Sequence, residues 1–580
     1  MRRAAVPWVV AAALALVLAC AFGFTYPGTN QNAYLVHGLV LHDPSLLPND
    51  WYVREATDYH HTFSVVVAAL FALRDGPEPF VVLDLILVVI GALGWFALLR
   101  RAFGPLVGLV CYGAWLGLGA LTLTSDVMES YFFGGYLQPS SIGIAGYLWA
   151  LALFADASAM DERQPRRRRL LASGAALAVS GVFHVNYLLL GITTLGLALV
   201  GLYRGRVWQR DFWLAVAAHL ALPALVVLWS APDLLEATRG PTAEALPILF
   251  NIRAPHHFHP TLEALAPFFA WQLAAWVVVL AHRTSTAVVP AVLVRLLAAV
   301  GGFVMVASVF SVVFKVPQAT QLFPWRMAPV ATALALVIVV GTALRGAEPA
   351  AVFQEPRVTL ARIGSFVAAA TLGLYGAKVA TWHADRARVY LGALALALVV
   401  VVVLARVAAA RGRAALRPVL ATGVVAVVVL GGAWVAVRDV PLHIQGPPSS
   451  RAAVAAWAAR TTPVDAVFAT PPNIEDFRLL SRRSLVVDWK SAGMLPKDLV
   501  AWARRIEDVS GARLRSHKRA RTGYAAMDET RARALVARYG VDYFVFDKKV
   551  APAPTWSAPV YANGRFAVLP APVEGETAQP

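Results

Sequence analysis

His256-His257-Phe258-His259 places three imidazoles within four residues, and imidazole suits zinc and other first-row metals. With His60 and His61 these side chains can form a divalent-metal site, although closely spaced histidines also occur without one. Asp126 and Glu129 stand in Ser125-Asp126-Val127-Met128-Glu129, each able to act as a catalytic carboxylate, a metal ligand or a solvated loop residue, and Gln138 follows nine residues on. His184 and Asn186 interrupt an apolar stretch, where polarity is expensive and serves either a site or an interhelical hydrogen bond. Arg253, Lys315 and Arg326 are cations next to prolines and apolar runs. Such groups attract phosphates or anchor helix ends among headgroups. Asp43, Asp50 and Asp58 lie between residues 26 and 61; Asp43-Pro44 and Asn49-Asp50 are also good turn formers with local hydrogen bonds to make.

The elements that must position these residues are set by composition. Of 580 residues 58% are hydrophobic and 15% charged, with a mean hydropathy of +0.62, more apolar surface than a water-soluble chain can hide. The surplus falls in blocks of roughly 17–25 residues, long enough to cross a hydrocarbon core of about 30 Å. Spans are expected near 6–24, 80–99, 104–122, 139–155, 170–186, 188–203, 211–231, 263–281, 287–313, 327–345, 360–380, 389–409 and 418–437, about thirteen in all. Arg2-Arg3, Arg100-Arg101, Arg166 to Arg169, Arg204/Arg206/Arg210, His282-Arg283, Arg357/Arg362 and Arg406 to Arg417 then share one face, as the positive-inside rule requires of the cytoplasm.

Two decisions carry that count. Thr62 to Leu73 is only twelve residues of apolar chain and is read as a re-entrant or interfacial segment of the first outer loop, residues 25–79. Leu170 to Tyr203 is read as two spans turning at His184. The first apolar block, despite Val17-Leu18-Ala19-Cys20, is read as a span and not a cleaved signal. Cys20 and Cys111 both sit in apolar runs as small buried hydrophobes.

Residues 1–438 therefore form a transmembrane domain, 439–450 a linker, 451–570 a small α/β domain and 571–580 a disordered tail. Helical periodicity runs over Arg451–Arg460, Pro496–Asp508 and Asp528–Tyr539, and strand patterns over Ala466–Ala469, Ser484–Val487, Val541–Phe546 and Arg565–Leu569. Arg513 to Arg521 reads as a solvated loop near anionic lipid. The fold class is mainly α, a polytopic helical membrane protein with a C-terminal α/β domain outside the cytoplasm. That domain holds Thr470-Pro-Pro-Asn473, Phe477-Arg478, Ser481-Arg482-Arg483, Asp488-Trp489-Lys490 and Trp502 to Arg505, a mixture suited to headgroups, lipid phosphate or glycan, or to internal salt bridges. It resembles the tail of a bacterial membrane-protein family, which implies no activity.

The layout as a whole resembles the GT-C superfamily of membrane glycosyltransferases. It shares a cytoplasmic N-terminus, eleven to thirteen spans, a long amphipathic first outer loop, polar residues on outer loops and an outer C-terminal domain. The resemblance implies an integral protein of the cell's inner membrane that takes a sugar from a polyprenyl-phosphate carrier to a glycan or lipid acceptor, with membrane lipid as a partner and no nucleic acid. It also implies an acid in the first outer loop as general base or divalent-metal ligand. The earliest polar stretch here is instead Thr29-Asn30-Gln31-Asn32, so the roles fall to Asp50 or Asp43, with Asp58 third, and to Arg253, Lys315 and Arg326 as phosphate contacts. His60, His61, Asp126, Glu129, Gln138, His184 and Asn186 are expected to line the cavity. No cofactor is implied beyond the possible divalent ion. A transporter or flippase of an anionic substrate, for which Asp84 and Arg295 are the intramembrane charges, and a non-catalytic assembly protein with a degenerate fold of this kind are the alternatives.

Overall fold

The computed structural model describes residues 2–28, 30–116, 135–236, 240–258, 262–282, 289–314, 316, 322–345 and 444–572. The expected spans 360–380, 389–409 and 418–437 lie outside the described residues, as do Asp126, Glu129, His259, Lys315 and residues 573–580.

Helix α1 (Arg2–Phe22) leads into strand β1 (Phe24–Thr25) and a helical first loop made of α2 (Gln31–His42), α3 (Trp51–Arg54) and α4 (His61–Leu73). The bundle continues with α5 (Glu78–Phe103), α6 (Pro105–Ala114), α7 (Pro139–Ser158), α8 (Arg163–Phe183), α9 (Val185–Leu202) and α10 (Arg210–Trp229). Two short helices follow, α11 (Ala231–Glu236) and α12 (Thr242–Ile248), then a π-helical turn, Leu249–Arg253, and α13 (Pro255–Phe258). The long helices α14 (Leu262–Ala281), α15 (Ala291–Ser308) and α16 (Ala328–Arg345) complete the described bundle.

Among the described residues six helical segments are long and apolar enough to cross a bilayer: Glu78–Phe103, Pro139–Ser158, Val185–Leu202, Arg210–Trp229, Ala291–Ser311 and Pro324–Thr342. Their outer surfaces match that medium. Val82, Ile86 and Ile90, four residues apart on α5, are 54%, 48% and 42% exposed, an apolar stripe that water would penalise and lipid solvates. Helix boundaries follow local chemistry. Glu78 in the first turn and Arg100-Arg101 in the last complement the dipole of α5, Gly104 at φ 82° ends it, and Pro105 starts α6. Gly174 lets α8 and α10 touch, since a Cβ there would run into the His219 carbonyl.

Both decisions taken on the sequence have structural counterparts. Thr57 just before α4 donates its N–H to Asp498 (3.1 Å), and Asp75 just after it pairs with Arg482, so both ends of α4 meet the C-terminal domain and the helix does not cross. At 13 residues it is about 20 Å long, short of a span. His184, extended at φ −152° and ψ 92°, separates α8 from α9 and makes two helices of Leu170 to Tyr203. Helix α8 begins earlier than expected, at Arg163, because Asp211 on α10 receives Arg167 at 2.7 Å and the arginine cluster can stay helical.

Strand β2 (Ile444–Gln445) pairs in parallel with β1, Phe24 opposite Ile444 and Thr25 opposite Gln445, which puts the start of the first loop and the start of the C-terminal domain on one face. The domain contains α17 (Ser449–Thr461), β3 (Val467–Ala469), α18 (Phe477–Ser481), β4 (Ser484–Leu485), α19 (Pro496–Ser510), α20 (His517–Ala525), α21 (Glu529–Tyr539), β5 (Tyr543–Asp547), β6 (Tyr561–Ala562) and β7 (Phe566–Pro570). The sheet order is β4-β3-β5-β7-β6, parallel from β4 to β5 and antiparallel beyond. Val454 and Ala458 of α17 cover one face, and Leu499, Trp502 and Ile506 of α19 pack on the other. The expected solvated loop at Arg513 to Arg521 is corrected by α20, whose N-cap Ser516 accepts from the Arg519 N–H and whose Ala520 and Tyr524 are buried.

One apolar core joins Leu35, Val36, Leu39, Leu47, Trp51 and Tyr52 of the first loop to Leu499, Trp502 and Ile506 of this domain. The apolar face of the amphipathic first loop is spent on the C-terminal domain: Leu35, Leu39, Leu46 and Leu47 are buried, and Leu41 is 47% exposed.

Candidate functional site

The three candidate acids of the first loop separate completely. Asp43 caps the end of α2 in solvent, its Oδ1 accepting from Ser45 Oγ (2.6 Å) and the Ser45 N–H (3.1 Å), which together hold its carboxyl below the usual range. Asp50 is wholly buried at the N-cap of α3: Oδ1 accepts from the Tyr52 N–H (3.0 Å), and Oδ2 from Arg478 Nε (2.6 Å) and the Leu485 N–H (2.9 Å). Arg478, equally buried, also donates to Asp488 and Ser491 and lies over the Tyr52 ring. Asp58 has a side chain 23% exposed; its Oδ1 accepts from the His60 N–H (3.2 Å), and its Oδ2 is 3.6 Å from His61 Nδ1.

Asp58 therefore belongs to a different group of residues from Asp43 and Asp50. The turn it caps carries Tyr59 and His60 against Tyr34 of α2, with the Tyr34 and His60 rings 5.2 Å apart. His60 Nδ1 is 3.1 Å from the Phe183 carbonyl, and its ring is 5.3 Å from that of His184, which the break between α8 and α9 turns toward it. Burial lowers the His60 pKa to about 4, with the nearby Asp58 carboxylate opposing that shift and Arg326 adding to it, so the ring is neutral at pH 7. Arg326 sits on a 3₁₀ turn, Pro324–Met327, which follows Phe323 at φ 50°, and lies within electrostatic range of His60 and His184.

Arg253 ends the π-helical turn, near Tyr59 on one side and Glu475 on the other. Its Nη2 donates to the Lys490 carbonyl at 3.4 Å, and its Nε is buried without a hydrogen-bond partner among the described residues. Lys490 Nζ donates to Asn30 Oδ1 (3.2 Å), and Asn30 Nδ2 donates to Gln138 Oε1 (3.0 Å) at the start of α7. Gln31 Nε2 donates to the Leu137 carbonyl (3.1 Å), so two of the early amides tie the first loop to the bundle. Glu475 faces Lys490 and Arg253. Burial raises its pKa to about 7 against the pull of those two cations, and Asp488 and Asp476 add to the rise.

The fold thus brings Asp58, His60 and His184 together within range of Arg326, sets Arg253 near the adjacent Tyr59, and reaches Gln138 from Arg253 through Lys490 and Asn30. It places Asp43 in solvent, encloses Asp50 in an ionic cluster, leaves His61 exposed, and puts Asn186 half-buried on α9. His256 and His257 lie in α13, three and four residues beyond Arg253. Among the described residues no three His, Cys, Asp or Glu side chains gather as metal ligands. The chemistry open to this group is acid–base and electrostatic. Lys490 was visible in the sequence beside Asp488, whereas Glu475 was not; its only signal there is an acid two residues after the Thr470-Pro-Pro-Asn473 turn. Arg483 spends its guanidinium on the carbonyls of Ala459 and Thr462 and is structural.

Residues 450–509 match a family described as a domain of unknown function (DUF6798), a stretch that contains Glu475, Arg478, Asp488 and Lys490. No curated protein matches the chain in sequence. Among solved structures, ArnT from Cupriavidus metallidurans in the apo state aligns over 98% of both chains at 19% identity with a TM-score of 0.52. The same protein bound to undecaprenyl phosphate aligns over 98% of both at 17% identity and a TM-score of 0.51. The archaeal oligosaccharyltransferase AglB from Archaeoglobus fulgidus, in complex with an inhibitory peptide and a dolichol-phosphate, aligns over 95% of this chain and 70% of its own at 10% identity, with a TM-score of 0.46. The chain has a GT-C-like fold.

Proposed function

We propose that this protein is a membrane glycosyltransferase that draws a sugar from a polyprenyl-phosphate carrier on the extracytoplasmic face of the cell membrane. The observation that carries the reading is the approach of Arg326 to His60 and His184 and of Arg253 to Tyr59, from separate turns of the bundle, around one half-buried group that also holds Asp58. Two guanidiniums fixed at the edge of an apolar bundle suit a lipid phosphate, whose negative charge grows as the sugar leaves. The neutral histidines can hydrogen-bond sugar hydroxyls without adding charge. The C-terminal domain closes the site with Lys490 and Glu475, and the acceptor, a glycan or lipid, reaches the sugar beneath it. ArnT, the neighbour that shares the fold, has been captured with undecaprenyl phosphate, which supports a carrier of this class.

The flippase alternative rests on Asp84, buried in α5 with Oδ2 lacking a partner among the described residues. Its expected counterpart Arg295 lies on α15 beside Gly201 and within range of Arg204, whereas Asp84 lines a crevice with Ser141 and Trp115. The separation removes the ion pair that a charge-coupled carrier would use. The deciding experiment incubates purified protein with polyprenyl-phosphate sugars. Wild type should turn over, and Arg253→Ala and Arg326→Ala should each lower kcat/KM by roughly a hundredfold or more, with Asp43→Asn as an unaffected control. Substrate movement in proteoliposomes without transfer to any acceptor would replace this reading with the flippase.

A further inference from the structure

We propose that the end of the bundle opposite His184 carries a binding site for the phosphate of an anionic phospholipid, built by Arg204 and Arg206 just after α9 and by Arg295 of α15. Helix α9 runs 18 residues from His184 to this end, about 27 Å, so the site is separate from the group around His60. The turn that leaves α9 is closely tied. Tyr203 caps the helix and is buried, its carbonyl accepts the Arg206 N–H (2.8 Å), and the Arg206 carbonyl accepts the Gln209 N–H (3.0 Å). Arg206 is thereby held with its guanidinium carbon 5.9 Å from the centre of the Tyr203 ring, and Arg166 of α8 lies at the same distance from that ring. Arg295 enters from α15. A Cβ on Gly201 would stand 3.9 Å from Arg295 Cγ, so the Arg295 stem lies against α9 three residues before Arg204.

The described protein does not balance the charge gathered there. Asp211, the acid at the start of α10, is already engaged: it pairs with Arg167 at 2.7 Å, lies 3.9 Å from Arg163 and accepts the Tyr203 hydroxyl at 3.4 Å. Arg166 donates its Nε to the Met160 carbonyl (2.9 Å). The guanidiniums of Arg204, Arg206 and Arg295 have no hydrogen-bond or ion-pair partner among the described residues, and the chain holds no acid from Tyr203 to Arg210 or from His282 to Pro290. Arg295 is half-buried within a helix long and apolar enough to span, where an arginine charge is costly without a counter-ion. The surface beside these cations is apolar. Leu197 and Val200 on α9, which lead toward Arg204, are 48% and 47% exposed, and Trp208 in the turn is 88% exposed. A phospholipid meets both features: its phosphate takes the forked guanidinium donors, its acyl chains lie along Leu197 and Val200, and Trp208 sits among the headgroups. A free phosphate would satisfy the arginines and leave the apolar surface uncovered.

The test uses the full chain in a neutral detergent and reads bound lipid by native mass spectrometry during titration with phosphatidylglycerol, phosphatidylcholine or inorganic phosphate. Wild type should take up one phosphatidylglycerol ahead of further adducts and prefer it to phosphatidylcholine by roughly tenfold or more, because the choline cation is repelled by the same arginines. Arg295→Gln and Arg204→Gln/Arg206→Gln should each abolish that preference. Arg295→Lys keeps the charge, and with it the orientation in the membrane, but loses the forked donor; it should weaken phosphatidylglycerol binding about threefold, and it carries the test if Arg295→Gln does not fold. Arg168→Gln/Arg169→Gln removes as much charge from exposed positions at the same end and should bind as wild type does. An equal loss in that control would mean diffuse attraction to a basic surface and would overturn the site. Equal uptake of phosphatidylcholine, displacement of phosphatidylglycerol by inorganic phosphate at matching concentration, or undiminished binding in the Arg295 variants overturns the proposal as well.

Discussion

At the scale of the residue, an acid's position in sequence says little about its environment. Glu475 illustrates the cost of a site. Its carboxyl is neutral in both folded and unfolded chains well below its ordinary value of 4.5, and ionised in both well above about 7, where the folded protein carries a buried charge. Its contribution to stability is therefore greatest at low pH and is lost as pH rises through about 7. Glu475→Gln should raise the thermal midpoint at pH 8, by an amount worth on the order of 1–3 kcal/mol after allowing for its partial exposure, and leave it unchanged near pH 4. A midpoint gain that is the same at both pH values would mean that the side chain packs better as an amide and that ionisation is not the cause.

At the scale of the element, the first loop and the C-terminal domain act as one body. Asp50 at the N-cap of α3, Arg478 in α18 and Asp488 after β4 form a buried cluster, and Asp488 in turn accepts from the Lys490 N–H (2.8 Å) while its carbonyl accepts from Trp502 Nε1 (2.9 Å). The cluster thus sets the backbone from which Lys490 reaches Asn30. Removing one member leaves a charge buried without its partner, at a cost of roughly 3–5 kcal/mol. Asp50→Ala and Arg478→Ala should each expose the α2–α4 segment to protease, and the double variant should lose less stability than the two losses added together. Strict additivity would show that the two residues act independently. α4 follows the same logic: an apolar helix too short to span is held at the domain's edge by contacts at both ends.

At the scale of the whole molecule, the parallel pairing of β1 with β2 fixes the first loop and the C-terminal domain to the same face. The odd number of spans expected from the sequence and the positive-inside rule lead us to propose that this face is extracytoplasmic. Single cysteines at exposed Glu55 and Arg515, in a Cys20→Ser/Cys111→Ser background, should both react with an impermeant maleimide in intact cells, while one at exposed Trp208 reacts only after permeabilisation. Labelling of Arg515→Cys only in broken cells would invert the topology and move the site to the cytoplasm.

The sequence by itself determined the bundle, because apolar length and arginine placement are local properties that a bilayer reads directly. Its turn at His184 was legible for the same reason, as was the α/β pattern of the last 130 residues, although α20 was hidden by its charge until Ala520 and Tyr524 found a core. Arg253 and Arg326 were legible as cations near helix ends. Only the tertiary structure decided the surroundings of each acid. Asp43, Asp50 and Asp58 look alike in sequence, yet solvent, Arg478 and the His60 turn give them three different fates. Arg478 and Leu485, which bind Asp50, lie more than 400 residues away along the chain. Such pairings depend on which surfaces share a core, and no local pattern along the chain encodes that.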